Sequence, residues 1–176
     1  MTPALQQASM LSGFHAMARY NRWMNECIYG HCEKLSDAER KVDRGAFFRS
    51  IHGTLNHLLL GDRIWLGRFL SREFHVETLA DELYADFSEL RGERARTDAE
   101  ILEWVKTLDQ KCLGAPLKFR SIVGNRDRSF PLWFMVQHFF NHQTHHRGQV
   151  TTLLMQAGVD PGVTDLMWLP GMEVGA

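Results

Sequence analysis

Gln137-His138-Phe139-Phe140-Asn141-His142-Gln143-Thr144-His145-His146-Arg147-Gly148-Gln149 carries four of the nine histidines of the chain. At about 100° per residue, a helix through it brings His138, His142, His146 and Gln149 within roughly 40° of one line, with Met135, Phe139 and Leu153 beside them. Large apolar residues mark the side that a helix buries. Ring nitrogens on that side need partners or they cost free energy. Histidines four apart are neighbours on a helix, and one shared metal ion satisfies a nitrogen of each.

Outward from this stretch, Pro131 opens the helix in its first turn and Gly158 stops it after about Ala157. The next informative segment is Phe47 to about Ser71, a second helix with the stripe Ile51, Leu55, Leu58, Trp65 and Phe69. Asp62 lies inside that stripe and so must be paired or near water. His57 lies on its edge, with small neighbours at Thr54 and Gly61 that leave space for an ion. Alone, His57 reads as a hydrogen-bonded core histidine; beside the later cluster it is the natural third ligand. His52 points elsewhere.

The first helix spans residues 10 to 33, on the 3-4 spacing of Leu11, Phe14, Met17, Tyr20/Asn21, Met24 and Ile28. Tyr20-Asn21-Arg22-Trp23-Met24-Asn25 reads as core aromatics flanked by amides that bond to a neighbouring loop, or as amides lining a pocket. Ser36 caps a short helical piece and Gly45 ends the pattern. Residues 72 to 96 are charged and poorly periodic, so Arg91-Gly92-Glu93-Arg94-Ala95-Arg96 reads as a solvated linker. Thr97 or Asp98 then caps a third helix that carries Ile101, Leu102, Trp104, Val105 and Leu108 to about Cys112. Gly124-Asn125 centres a small hairpin between Leu117 and Phe130. Its basic residues read as a solvated surface, with a grip on an anionic substrate as the alternative. Residues 159 to 170 form a loop and a short apolar turn that packs across the helices.

The length of 176 residues fits one domain over 1–176, and 44% apolar residues supply a core. The net charge of −1 offers no field for nucleic acid or an anionic membrane. No apolar run is long enough to span a bilayer. Met1 to Ala8 lack the basic and apolar regions of a secretion signal. Cys27, Cys32 and Cys112 form no CxxC pair and read as free thiols. The expected location is the cytoplasm.

Four amphipathic helices with little strand signal predict an all-α four-helix bundle, a fold that holds metals between facing helices. His57, His142 and His146 would then meet as three ligands with one position open. HxxxH at His142 and His146 is not the zincin motif, because Gln143 stands where the general-base Glu belongs. Three imidazoles suit zinc, nickel, copper or iron. The expected cofactor is a divalent ion, zinc or nickel first, then iron or manganese. The competing reading is a helix of hydrogen-bonded histidines with no ion.

Leu55-Asn56-His57-Leu58, Asp62-Arg63-Ile64-Trp65 and His142 to Gln149 resemble the DinB/YfiT-like metalloenzyme family. Tyr20 to Asn25 and Thr164-Asp165-Leu166 are similar too, so the resemblance runs from about residue 11 to 170. It implies an up-down-down-up four-helix bundle, often a homodimer, with metal ligands matching His57, His142 and His146. Family members of known activity include transferases that use low-molecular-weight thiols. The family name comes from a DNA-damage-inducible gene and describes expression, not DNA binding.

Other roles follow from helical geometry. His138 is a fourth ligand or a neighbour of one. His145 lies about 60° off the ligand line and bonds beside the site or across a subunit interface. Asp62 and Gln149 are candidates to orient ligand imidazoles. Arg147 points away and pairs with an acid on a neighbouring helix or monomer. Two functional readings result. One is a metal-dependent thiol S-transferase or hydrolase acting on a small electrophile. The other is a non-catalytic metal-binding stress-response protein, either a sensor or a structural dimer.

Overall fold

In the computed structural model, which describes residues 9–72 and 74–173, Ser9 starts the first helix, α1 (Met10–Cys32), by accepting the Ser12 amide at 3.2 Å. The sequence reading of Met1 to Ala8 lies outside the described residues. Ser36 closes a capping box with Glu39 around the short α2 (Asp37–Lys41). The next helix, α3 (Ile51–Phe69), begins at Ile51 and not at Phe47. Ser50 takes the Gly53 amide at 3.0 Å, and Arg49 at φ 66 breaks any helix before it. Phe47 and Phe48 therefore belong to a loop. From Ile51 to Gly67 only Gly53 and Arg63 escape burial, so α3 is buried nearly all round, with His52, Thr54, Asn56, His57 and Asp62 among its buried residues.

The reading of residues 91 to 96 as linker is overturned. They lie inside α4 (Phe87–Lys106), capped by Asp86 at the Glu89 amide, 2.8 Å. Arg94 is buried, and Thr97 and Asp98, expected to be caps, sit buried in mid-helix. The third helix expected to reach Cys112 is two pieces: α4 stops at Lys106, and Asp109 caps a separate α5 (Gln110–Gly114). The hairpin forms as expected, with β1 (Pro116–Ser121) antiparallel to β2 (Arg126–Pro131) and Phe119 opposite Arg128. The chain then enters α6 (Leu132–Gln156). Gly158 at φ 79 ends it, with Val159 N–H on Leu154 O at 2.9 Å and Gly158 N–H on Met155 O at 3.0 Å, a Schellman closure.

Among the described residues the fold is mostly helical with one two-stranded sheet. Helix α1 packs against α4 and α6, and α3 against the same two. The final segment lies across them: Tyr20 donates to the Thr164 carbonyl at 2.5 Å, and Leu169 is buried. Among the described residues no helix is long and apolar enough to cross a membrane.

Two apolar clusters form the core. One gathers Met24, Ile28, Leu55, Leu59, Leu90, Val150 and Leu154. The other gathers Phe14, Ala18, Trp65, Ile101, Trp104, Phe139 and Phe140. In each long helix a polar pair or single residue separates the two: Asn21 and Asn25, Asp62, Arg94 and Asp98, Gln143 and Arg147. All seven are buried. Arg94 pairs with Asp62 at 2.5 Å and with Asp98 at 2.9 Å. Asn21 and Asn25 donate to Asp98 at 2.8 and 3.0 Å, Gln143 donates to Asp62 at 2.9 Å, and Arg147 donates to the Asn21 side-chain carbonyl. Two carboxylates and two guanidinium groups balance, so the layer is neutral and joins all four long helices. Burial raises Asp98 to about 6 against the pull of Arg94, and burial raises Asp62 as well. The amides of α1 thus bond to α4. Among the described residues their partners are on helices and not on a loop.

Candidate metal centre

His57 leaves α3 toward α6 and meets His146 and His142 there. The Nε2 atoms of His57 and His146 are 3.2 Å apart, and those of His146 and His142 are 3.1 Å apart. One ligand-capable atom of each ring lies within 4.8 Å of the other two. Two imidazole nitrogens on one tetrahedral ion, at about 2.0–2.1 Å from it, stand roughly 3.3 Å apart. These two spacings match that value, and the third pair, His57 and His142, lies within 4.8 Å.

The outer nitrogens say which inner ones carry lone pairs. His57 Nδ1 faces the Leu79 carbonyl at 2.8 Å, so it is the protonated nitrogen. His146 Nδ1 faces Gln149 Oε1 at 2.8 Å and donates to it. In the neutral rings both Nε2 atoms are then bare acceptors aimed at each other, an arrangement that a cation between them relieves. Burial pushes His57 down to about 4 and His142 to about 3, and lowers His146. The rings are therefore neutral at pH 7, the form in which imidazole binds metal. His142 Nδ1 is buried with no hydrogen-bond partner among the described residues, so only packing and the contact of its Nε2 with His146 hold that ring. The donor set, three neutral nitrogens without a carboxylate or thiolate, fits a borderline divalent ion.

Local sequence explains the approach. A Cβ on Gly61 would stand 3.1 Å from His142 Cε1, so the small residue that seemed to leave space beside His57 makes room for the opposing ring. Phe48 stacks on His57 with centroids 3.8 Å apart and planes at 16°, and meets His146 edge-on at 5.6 Å. Phe48 and Leu79 escaped the sequence reading because both act from loops, where no periodicity marks which residue turns inward.

The other sequence candidates separate cleanly. Gln149 reaches His146 as its place on the helical line suggests. Its amide nitrogen lies 3.3 Å from His145 Nε2, and His145 is exposed. Asp62 does not orient a ligand ring; its oxygens are taken by Gln143 and Arg94. Arg147 bonds directly to an amide and not to an acid, and stands 5.1 Å over the Tyr20 ring. His52 faces the Tyr84 carbonyl at 2.9 Å and Glu82 at 3.3 Å, away from the trio. His138 is outside the trio too. Its ring lies 6.0 Å from that of His142 and edge-on to Trp65 at 5.1 Å. It lines a cleft of about 400 Å³ that reaches His57 and His142 at its inner end.

A family model for the DinB family matches residues 7–174. "Protein DinB" of Bacillus subtilis (strain 168) is 28% identical over 156 residues, which cover 83% of this chain and 87% of that protein. A DinB-like protein from Bacillus cereus, known from its crystal structure, is similar in fold, with a TM-score of 0.60 at 19% identity over 86% of this chain and 91% of the other.

Proposed function

The chain is a member of the DinB family, and on that footing we propose that it is a metal-dependent enzyme, a thiol-dependent S-transferase or a hydrolase acting on a small electrophile. The metal ligands are His57, His142 and His146, and the ion is zinc or nickel before iron or manganese. The proposal includes one domain over residues 1–176 folded as an up-down-down-up four-helix bundle, working as a cytoplasmic homodimer. The observation that carries it is the convergence of three imidazole nitrogens, two of whose rings, His57 and His142, line an open cleft. A fully protein-coordinated ion would favour the non-catalytic stress-protein reading. His138, the natural fourth ligand for that case, is not part of the converging set.

A bound divalent ion supplies Lewis acidity that lowers the pKa of a water or thiol. The residues of the chain do the rest. Leu79 and Gln149 hold the outer nitrogens of His57 and His146, so both rings keep one orientation and one tautomer. Phe48 covers the outer face of His57 and keeps water from it. The cleft beyond His142 admits the electrophile and is lined largely by apolar side chains, which favours an organic substrate.

A panel of low-molecular-weight thiols, offered with an electrophile and added zinc or nickel, should give metal-dependent turnover with at least one thiol. Silence across the panel, with water as nucleophile included, removes the enzyme reading. A subtler effect is expected at Gln149. Gln149→Leu should weaken metal binding about 10- to 100-fold while leaving the saturating stoichiometry intact, because the bond that orients His146 is lost while all three ligands remain. Competition with a chelator of known affinity measures it, and an unchanged affinity would free Gln149 from that role.

A further inference from the structure

The cleft beside the histidines has a charge pattern that the metal reading does not use. Strand alternation turns Phe119, Arg128 and Phe130 of the hairpin to one side and Lys118, Arg120 and Asp127 to the other. Phe119, Arg128 and Phe130 line the cleft. On the outer side Arg120 pairs with Asp127 at 3.1 Å. On the inner side Arg128 has no such partner: no carboxylate among the described residues pairs with it, and none lines the cleft.

Arg68 of α3 contributes a second guanidinium. It lies 4.5 Å over the Trp65 ring and 4.4 Å over Phe119, half-buried. Its one hydrogen bond among the described residues is a long one, 3.4 Å to the Arg120 carbonyl. It too has no acidic partner among the described residues. Burial lowers its pKa, and its charge is felt at His138, which burial and then Arg68 hold down. Ring contacts connect it to the metal centre, from Arg68 through Trp65 and His138 to His142. The mouth of the cleft is apolar and uncovered, with Val123 and Phe134 69% and 47% exposed.

We propose that Arg68 and Arg128 form the anion-holding end of this cleft and set its specificity, so that it takes a small molecule joining a carboxylate to a flat apolar body. Two half-buried guanidinium groups without an acidic partner, set among aromatic walls, are a ready seat for an anion. The planar fork of arginine matches a carboxylate, and the stacked rings accept a flat apolar partner. The inference deepens the enzyme reading, since such a carboxylate would place the body of an electrophile next to His142. Arg68 and Arg128 act as specificity residues and not as catalytic ones.

The test uses 1-naphthoate and its neutral amide, 1-naphthamide, in calorimetric titrations of the full chain as purified and after chelator treatment, with metal content measured on the same samples. Naphthoate should bind at least about ten-fold more tightly than the amide in both preparations. Arg68→Met and Arg128→Met should each weaken naphthoate by about ten-fold, the usual worth of a charge-assisted hydrogen bond, and leave naphthamide unchanged. Methionine keeps an unbranched apolar stem against the rings, and thermal melts confirm that the variants fold. No binding of naphthoate, equal binding of the two probes, or a preference that both variants retain would overturn the proposal. A preference that vanishes with the metal and ignores the arginines would overturn it too, since the carboxylate would then sit on the ion. An arginine-dependent preference in a chain that binds no metal would uphold it and remove the metal reading instead.

Discussion

Protein purified without chelators should carry one divalent ion per chain, and His57→Ala, His142→Ala and His146→Ala should each bring that to near zero by elemental analysis. The expected effect is large because each ring supplies one of three inward nitrogens, held 3.1 to 3.2 Å from a neighbour. Losing a group that merely orients a ligand already costs about 10- to 100-fold in affinity, so losing a ligand costs more. His138→Ala and His145→Ala are the controls. Both residues lie outside the converging set, and both variants should keep full stoichiometry. Unchanged metal content in the three ligand variants would end the metal reading. A loss at His138 equal to that at His57 would show a fourth protein ligand and turn the reading toward the non-catalytic protein.

Arg94→Met should be the most destabilising single change in the core, by about 3–5 kcal/mol in urea unfolding. It leaves Asp62 and Asp98 buried without the cation they share. Typical domains have only about 5–15 kcal/mol in hand, so the variant should melt far below the parent. The sign of its pH dependence follows from the raised acids. The folded pKa of Asp98 is already about 6 against an ordinary 3.8, and removing Arg94 raises it further. Protonation therefore relieves the variant. Its stability deficit should be smallest below about pH 4, where the carboxyl is neutral even unfolded, and should grow as pH rises through 6 and beyond. A deficit under about 1 kcal/mol, or one independent of pH, would show that the polar layer does not carry buried charge in this way.

Much of the fold was legible where apolar residues keep helical time. Met10–Cys32 and Leu132–Gln156 lie within a residue or two of their sequence bounds, read from apolar spacing for the first and from Pro131 and Gly158 for the second. The reading failed where charge interrupts that time. Phe87, Leu90, Arg94, Asp98, Ile101 and Val105 keep a 3-4 rhythm through the run at 91–96, but the charges made it look solvated. A charged residue can hold a core position only when its partners arrive from other helices, and those partners sit dozens of residues away.

The same division holds for the histidines. Spacing alone put His142, His146 and Gln149 on one line, because a helix fixes the direction of every fourth side chain whatever surrounds it. That His57 would meet them was expected from its small neighbours and from the family resemblance; that Gly61 would give way to the opposing ring, and that Phe48 and the Leu79 carbonyl would hold His57, came only with the packing of α3 against α6. Local sequence sets direction along a helix, whereas distance between helices is decided by everything that packs between them.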